Sequence, residues 1–107
     1  MNRGDLVTAV FSGTYGKPRP ALIVQSDTFA ELLSVTVLPL TTYLQPAPLI
    51  RITLEAGGAN GLERRSQIMI DKATTVARTK IGRRLGSIDT TVMEAVDRAL
   101  ASFLGIG

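Results

Sequence analysis

An arginine that lies between two prolines is the first residue of the sequence whose type and position could do chemistry. Arg19 is flanked by Pro18 and Pro20 and is followed by the apolar residues 21–24. Each proline fixes its own φ and keeps the preceding residue out of the helical region, so Arg19 is held in an extended backbone. A guanidinium at the mouth of a buried strand can bind an anion such as a phosphate. The alternative is an arginine that only caps a sheet edge, and the local sequence alone favours this alternative.

The composition restricts which side chains could catalyse a reaction. The 107 residues include no cysteine and no histidine, which excludes disulfides, thiolate nucleophiles, the usual zinc sites and histidine general bases. Glu55 and Glu63 flank a glycine turn, but they are only a weak indication of paired carboxylates. No phosphate-binding loop, dinucleotide fingerprint or acidic metal cluster is present. The remaining types, Arg, Lys, Thr, Ser, Tyr and a stray carboxylate, suit RNA cleavage in which the substrate's own 2′-hydroxyl is the nucleophile.

The basic residues are unevenly distributed along the chain. The net charge is +3, and seven of the twelve Lys and Arg residues lie between residues 64 and 84, where Asp71 is the one acid. These seven are Arg64, Arg65, Lys72, Arg78, Lys80, Arg83 and Arg84. A basic stretch on a β protein can follow a phosphate backbone. A solvated face that contributes only solubility is an equally good interpretation of the charge run alone.

Short segments of alternating or β-branched residues predict a mainly β protein. The predicted strands cover residues 5–11, 21–25, 34–42, 49–54, 66–70, 73–77 and 84–88. Pro39 indicates an edge or a bulge near the end of the third strand, and the glycines of segment 57–61 predict a turn. Asp27 is predicted to cap a short helical turn that reaches Leu32. In the fourth strand, Arg51 and Thr53 are expected to face water.

The C-terminal segment changes to the spacing of a helix. Asp89 is at an N-cap position, and Gly105 is expected to end the helix. The apolar positions that predict the face against the sheet are Val92, Val96, Ala99, Leu100, Phe103 and Leu104. The predicted fold is therefore mainly β with a C-terminal α-helix, in one domain that covers residues 1–107.

The apolar content and the N-terminal residues predict the location of the protein and its assembly with a second copy. Hydrophobic residues make up 45% of the chain, and no apolar run is long enough to span a bilayer. The N-terminus does not resemble a signal peptide, so we expect a cytoplasmic location without membrane attachment. This apolar content favours a surface that is covered by a second copy of the chain. A monomer with an ordinary core is the alternative.

Several segments resemble, in order along nearly the whole chain, the MazF/PemK toxins, which are endoribonucleases of toxin–antitoxin pairs. These segments are residues 3–5, residues 19–27, the strand that ends at residues 40–42, residues 66–72 and the terminal helix that ends at residues 104–106. The resemblance implies a small SH3-like barrel or twisted antiparallel sheet of the CcdB/PemK kind, and a homodimer. It also implies cleavage of single-stranded RNA without a metal ion or other cofactor, which leaves a 2′,3′-cyclic phosphate and a 5′-hydroxyl. The implied partner is a cognate antitoxin with a disordered, acidic tail.

The same resemblance assigns roles to individual residues. Arg19 matches the family's catalytic arginine, which binds the scissile phosphate and can protonate the leaving oxygen. Thr41 matches its threonine, which holds a phosphate oxygen, although without the match it is an ordinary strand-end threonine. The other positions are expected to contact RNA: Thr42, Ser66 and Lys72, with Tyr15 and Lys17 from the loop before the arginine. Ser66 is equally well explained as a turn hydroxyl, and Tyr15 as an aromatic that packs on the barrel.

One departure from the family pattern leaves the general base unassigned. Some members have a glutamate in the loop before the arginine, whereas residues 12–18 of this chain contain no carboxylate. Tyr15, Lys17 or another loop would then have to accept the proton. The alternative function is that of CcdB-like toxins, which bind DNA gyrase and catalyse nothing. Those toxins rely on a C-terminal Trp-Gly-Ile, whereas this chain has no tryptophan and ends with residues 105–107, Gly-Ile-Gly.

Overall fold

The computed structural model describes residues 1–107 as seven β-strands followed by one α-helix. The strands are β1 (Asp5–Val10), β2 (Pro18–Ile23), β3 (Ser34–Thr41), β4 (Arg51–Leu54), β5 (Ser66–Met69), β6 (Thr74–Ala77) and β7 (Ile81–Ser87), and the helix is α1 (Thr90–Leu104). Four short 3-10 turns cover Asp27–Phe29, Gly58–Asn60, Ile70–Lys72 and Arg78–Lys80. The predicted fold, mainly β with a C-terminal helix, is confirmed.

All the strand pairs are antiparallel. The order across the sheet is β4-β5-β3-β2-β1-β7, and β6 pairs with the first half of β3. Two strands begin earlier than predicted. β2 starts at Pro18 because residues 18–20 pair with β1, and β7 starts at Ile81 because its first residues also pair with β1. The two sides of β1 are therefore paired along most of its length.

Each face of the sheet carries its own apolar cluster. The larger cluster is formed by Leu6, Leu22, Leu38, Leu40, Leu54, Leu62, Ile68, Ile70 and Val96. The smaller one is formed by Val7, Ala9, Ala21, Ile23, Val35 and Val37. Successive residues of a strand point to opposite faces, so Leu22 joins the first cluster and its neighbours Ala21 and Ile23 join the second. The sheet is thus covered on both sides, with α1 on the side of the larger cluster.

The helix begins and ends where the sequence predicts. A carboxylate oxygen of Asp89 accepts a hydrogen bond from the backbone N–H of Val92 at 2.9 Å, and Gly105 ends the helix in the left-handed conformation. The predicted apolar face is wrong at its C-terminal end. Phe103 and Leu104 are 49% and 58% exposed, and the helix residues that pack against the larger apolar cluster end at Leu100.

The predicted cap of the short turn after β2 is also wrong. Ser26, not Asp27, caps this turn, and its hydroxyl accepts a hydrogen bond from the N–H of Thr28 at 3.2 Å. The carboxylate of Asp27 instead accepts from the backbone N–H of Arg3 at 2.8 Å, which connects the turn to the start of the chain. No helix of the chain has the length and apolar character that crossing a bilayer requires.

Candidate functional site

A gap between β2 and β3 is the feature that positions Arg19. The two strands pair over residues 21–23 and 37–39, and the last partners are Ala21 and Pro39. If this register continued, Arg19 would lie opposite Thr41. The hydrogen-bond ladder between β2 and β3 stops there because Pro18 and Pro20 have no N–H to donate. A strand tolerates proline only where the side that its N–H would face is unpaired, and in β2 this is the side toward β3. We call the open stretch between residues 18–20 of β2 and residues 40–42 the strand gap.

A cavity of about 600 Å³ opens at the strand gap, and we call it the main cavity because Arg19 and Thr41 line it. Five of the predicted site residues line it, namely Arg19, Thr41, Thr42, Ser66 and Lys72. The other lining residues are Phe11, Ser12, Thr14, Pro20, Pro39, Leu40, Met69 and Thr74. β5 brings Ser66 to the cavity because β5 pairs with the end of β3 at residues 40 and 41, and the turn after β5 brings Lys72. The fold thus gathers residues that are far apart in sequence.

The hydroxyls of Thr41 and Ser66, which both line the main cavity, make different hydrogen bonds within the chain. The Oγ1 atom of Thr41 accepts a hydrogen bond from the backbone N–H of Tyr43 at 3.0 Å, which leaves its own proton available for a ligand. The hydroxyl of Ser66 donates to the backbone carbonyl of Arg64 at 2.9 Å, and Ser66 is buried. Ser66 therefore has the turn role that the sequence allowed, and only its lone pairs remain for a ligand.

The electrostatic character of the main cavity is cationic. Arg19 and Lys72 are its charged residues, and no carboxylate lines it. The guanidinium of Arg19 makes no ion pair or hydrogen bond within the chain and is exposed. The ammonium of Lys72 lies 3.7 Å from a carboxylate oxygen of Asp71. An unpaired guanidinium beside a free hydroxyl donor can hold the oxygens of a phosphate.

A largely buried ion pair between Arg51 and Asp71, the neighbour of Lys72, corrects one of the sequence predictions. Arg51 was expected to face water, but its side chain is only 8% exposed and its Nη1 lies 2.5 Å from a carboxylate oxygen of Asp71. The same Nη1 donates to the backbone carbonyl of Ile50 at 3.1 Å. Burial raises the pKa of Asp71, but the hydrogen bond from Arg51 and its positive charge outweigh this, so the pKa lies below the ordinary value.

This ion pair gives a prediction for stability against pH. Because the folded-state pKa of Asp71 is depressed, its contribution is present above the unfolded pKa and is lost as the pH falls through the folded one. Asp71→Asn should lower the free energy of unfolding by about 1–3 kcal/mol at neutral pH. The difference from the wild type should shrink as the pH falls below the ordinary pKa of an aspartic acid, about 4, toward the lower folded-state pKa. Urea unfolding at a series of pH values measures both the loss of stability and its dependence on pH.

The control for this prediction is an exposed ion pair. Glu55→Gln removes the pair of Glu55 with Arg65, whose side chains are 74% and 59% exposed, and it should cost less than about 1 kcal/mol. A difference between Asp71→Asn and the wild type that stays constant from neutral to acidic pH would contradict the assigned pKa shift.

The structure does not bring the two remaining predicted site residues into the main cavity. Tyr15 and Lys17 lie in the loop between β1 and β2, and neither lines the cavity. Tyr15 is fully exposed at the loop tip, so the interpretation that it packs on the barrel is wrong. It adopts the left-handed conformation with φ +54° and lines an adjoining recess that shares Phe11 and Ser12 with the main cavity. Their RNA contacts remain predictions.

The basic run does not form one continuous stripe. Three of its arginines are held by neighbours: Arg65 pairs with Glu55, Arg84 pairs with Asp5, and Arg78 donates to the carbonyl of Leu32. Lys72 lines the main cavity, Arg64 and Arg83 line a second cavity beside it, and Lys80 lines the recess next to Tyr15. Four of the seven residues therefore line the main cavity or one of the two hollows that share residues with it.

Sequence reasoning missed some residues of the main cavity. Ser12 and Thr14 follow β1 and were treated only as loop, and Thr74 begins β6 beside Lys72. The hydroxyl of Thr14 already donates to the carbonyl of Phe11 at 2.7 Å, and that of Thr74 donates to the carbonyl of Lys72 at 2.7 Å. Each of the three lies within three positions of a predicted site residue, but hydroxyls are too common in loops for this to be decisive.

The fold and the site together define a class of protein: a small antiparallel β protein whose cationic, hydroxyl-lined cavity suits a phosphate-bearing ligand. The family model of PemK-like, MazF-like toxins of type II toxin–antitoxin systems matches residues 2–104. The chain belongs to this family, as its sequence motifs predicted.

Individual relatives agree with the family assignment. The chain is 51% identical to a probable endoribonuclease MazF from Mycolicibacterium smegmatis, with 99% of this chain and 98% of the relative covered. Its fold is similar to that of the Mycobacterium tuberculosis toxin MazF-mt6, with a TM-score of 0.83, 24% identity, and 96% and 98% of the two chains covered. A mycobacterial endoribonuclease solved in complex with its cognate antitoxin gives a TM-score of 0.81 at 22% identity, with 100% and 97% covered. These comparisons do not favour the gyrase-binding alternative.

Proposed function

We propose that this endoribonuclease toxin cleaves single-stranded RNA in the main cavity, without a metal ion, and that Arg19 and Thr41 are its catalytic residues. The observation that carries the proposal is the strand gap, in which an unpaired guanidinium and a free hydroxyl proton line one cavity that contains no carboxylate. The family and the 51% identical probable endoribonuclease support the activity.

The proposed reaction is an internal transfer of a phosphodiester. The 2′-oxygen of the substrate attacks the adjacent phosphorus, the bond from phosphorus to the 5′-oxygen breaks, and the products are a 2′,3′-cyclic phosphate and a 5′-hydroxyl. The 2′-hydroxyl loses its proton and the leaving 5′-oxygen gains one. Negative charge grows on the phosphate oxygens in the transition state. Arg19 would neutralise this charge, and Thr41 would donate its hydroxyl proton to a phosphate oxygen.

The other cavity residues would hold the RNA strand on either side of the reacting phosphate. Lys72 supplies a second positive charge for a neighbouring phosphate, and its ammonium lies 3.7 Å from a carboxylate oxygen of Asp71. Thr42 and Ser66 supply polar atoms at the cavity wall. Tyr15, exposed at the loop tip, would stack on a base outside the cavity, and Lys17 in the same loop would contact the backbone.

The biological setting follows from the family. A cognate antitoxin would hold the toxin inactive, and an acidic, disordered tail would complement the four basic residues that line the main cavity and its two adjoining hollows. Large apolar side chains on the surface, among them Leu33, Leu49 and Ile106, support a second copy of the chain as a further partner. We place the protein in the cytoplasm, where its RNA substrate occurs.

The proposal predicts cleavage that resists a metal chelator. The purified protein should cut a single-stranded RNA at the same rate with and without excess EDTA, because the guanidinium supplies the charge that a metal would otherwise supply. Polynucleotide kinase should label the new 5′ ends without prior phosphatase treatment, which identifies a 5′-hydroxyl. A duplex of the same sequence is the control and should be cut much more slowly. Loss of activity in EDTA that added Mg²⁺ restores would contradict the proposal.

A further inference from the structure

A second cavity adjoins the main one and has a different chemical character. It has a volume of about 250 Å³ and shares Pro20, Thr42 and Ser66 with the main cavity, so the two form one continuous surface. Its other lining residues are Thr8, Gly61, Leu62, Glu63, Arg64, Arg83 and Leu85. Unlike the main cavity, it contains a carboxylate.

That carboxylate is not engaged within the chain. Six of the nine acidic residues have an ion-pair or hydrogen-bond partner, whereas Glu63 has none. Glu31 and Glu94 are also unpaired, but neither lines the second cavity or the main one. The guanidinium groups of Arg64 and Arg83 make no ion pair, although both line the same cavity as Glu63.

Close backbone packing fixes the walls of the second cavity. A Cβ at Gly61, where φ is +70°, would lie 2.0 Å from the carbonyl oxygen of Leu85, and one at Gly86 would lie 2.1 Å from that of Ala59. The turn before Glu63 is therefore pressed against β7. On the opposite side, the backbone N–H of Arg83 donates to the hydroxyl of Thr8 at 3.1 Å. The chemistry-bearing side chains thus project from segments whose backbones are held in place.

We infer that the second cavity is a base-reading subsite and that Glu63 selects guanine in single-stranded RNA. This inference rests on the proposed function, since it requires RNA in the main cavity. An ionised carboxylate offers two acceptors and no donor. Guanine is the one base whose Watson–Crick edge presents two adjacent donors, N1–H and the N2 amino group, so it can bind a carboxylate through both oxygens. Its O6 and N7 atoms are acceptors for an arginine such as Arg64 or Arg83.

The apolar part of the same cavity suits the flat face of a base. Leu62 is buried in the larger apolar cluster, and Leu85 packs against that cluster. A phosphate would gain nothing from these leucines and would be repelled by Glu63. The combination of apolar wall, carboxylate and two guanidinium groups therefore favours a base in the second cavity, with the backbone phosphate in the main one.

The test is the sequence preference of cleavage. A library of single-stranded RNA with random sequence is digested by the wild type and by Glu63→Gln, and the cut sites are read by sequencing. The wild type should show guanine enriched at one fixed position near the cut. Glu63→Gln replaces one acceptor by a donor, so this enrichment should fall about ten- to a hundredfold. In a short substrate, inosine at this position lacks the amino group and should lower the wild-type rate about tenfold, with little effect on the variant.

Two controls separate the inference from the proposed function. Glu31→Gln makes the same change of charge at an unpaired acid outside both cavities and should keep the guanine preference. Arg19→Ala should cut the library very little. Cleavage by the wild type with no guanine preference, or a preference unchanged in Glu63→Gln, would overturn the inference and leave the proposed function intact. Loss of all cleavage in Glu63→Gln, whatever the sequence, would make Glu63 a general base and would also overturn it. No cleavage by the wild type would end the proposed function and the inference together.

Discussion

Replacing Arg19 by alanine is expected to lower the rate of RNA cleavage by about a hundredfold or more while the protein stays folded. Removing one preorganised donor to a transition-state oxyanion typically costs about 10²–10³ in rate. The guanidinium has no partner within the chain and is exposed, so its loss should change the free energy of unfolding by less than about 0.5 kcal/mol. Single-turnover cleavage of a labelled RNA and urea unfolding measure the two quantities.

Two further variants make the result specific to this position. Arg19→Lys keeps the charge but loses the planar fork that holds two phosphate oxygens, so its rate should lie between those of the wild type and the alanine variant. Arg98→Ala removes an exposed arginine of α1 that lines neither cavity, and it should cleave at the wild-type rate. Unchanged cleavage by Arg19→Ala would remove Arg19 from the mechanism.

The parts of this molecule that the sequence predicts well are those decided locally. The period of two in the strands, the N-cap at Asp89 and the left-handed glycine at Gly105 depend on residues that are neighbours in the chain. The extended backbone at Arg19 is also local, because its two flanking prolines impose it. That Arg19 and Thr41 line one cavity is not a local property, since it depends on how β2 pairs with β3. At the sequence level, only the resemblance to a family indicated it.

The failed predictions share one physical cause: whether a side chain finds a packing partner depends on segments that are distant in the sequence. Arg51 alternates with apolar neighbours and so was assigned to water, but Asp71, twenty residues later, meets it in the interior. Phe103 continues the apolar face of α1, but it is half exposed and does not pack against the larger apolar cluster. Glu63 was a weak candidate because its sequence neighbours gave it no role, and only the packing of its turn against β7 brings it beside the strand gap.

Thr41→Val should lower the cleavage rate by about ten- to a hundredfold, which is the second large effect expected from a change in the main cavity. Valine has nearly the same shape but lacks the hydroxyl proton, which is the group of Thr41 that remains free after its oxygen accepts from the N–H of Tyr43. A hydrogen bond to a charged group contributes about 1.5–3 kcal/mol, which corresponds to this range of rates. Thr41→Ser restores the hydroxyl and should recover most of the activity. A rate equal to the wild type for Thr41→Val would show that the hydroxyl does not contact the reacting phosphate.

The double variant of Arg19→Ala and Thr41→Val tests whether the two residues act on one phosphate. If both hold oxygens of the same group, the phosphate that has lost its guanidinium is no longer well placed for the hydroxyl, and the second change should cost little more. The double variant should then cleave nearly as fast as Arg19→Ala alone, with a coupling free energy of about 1 kcal/mol or more. Losses that simply multiply would mean that the two residues act independently. The strand gap would then position two separate contacts to the RNA, and the shared site inferred from the register of β2 and β3 would be wrong.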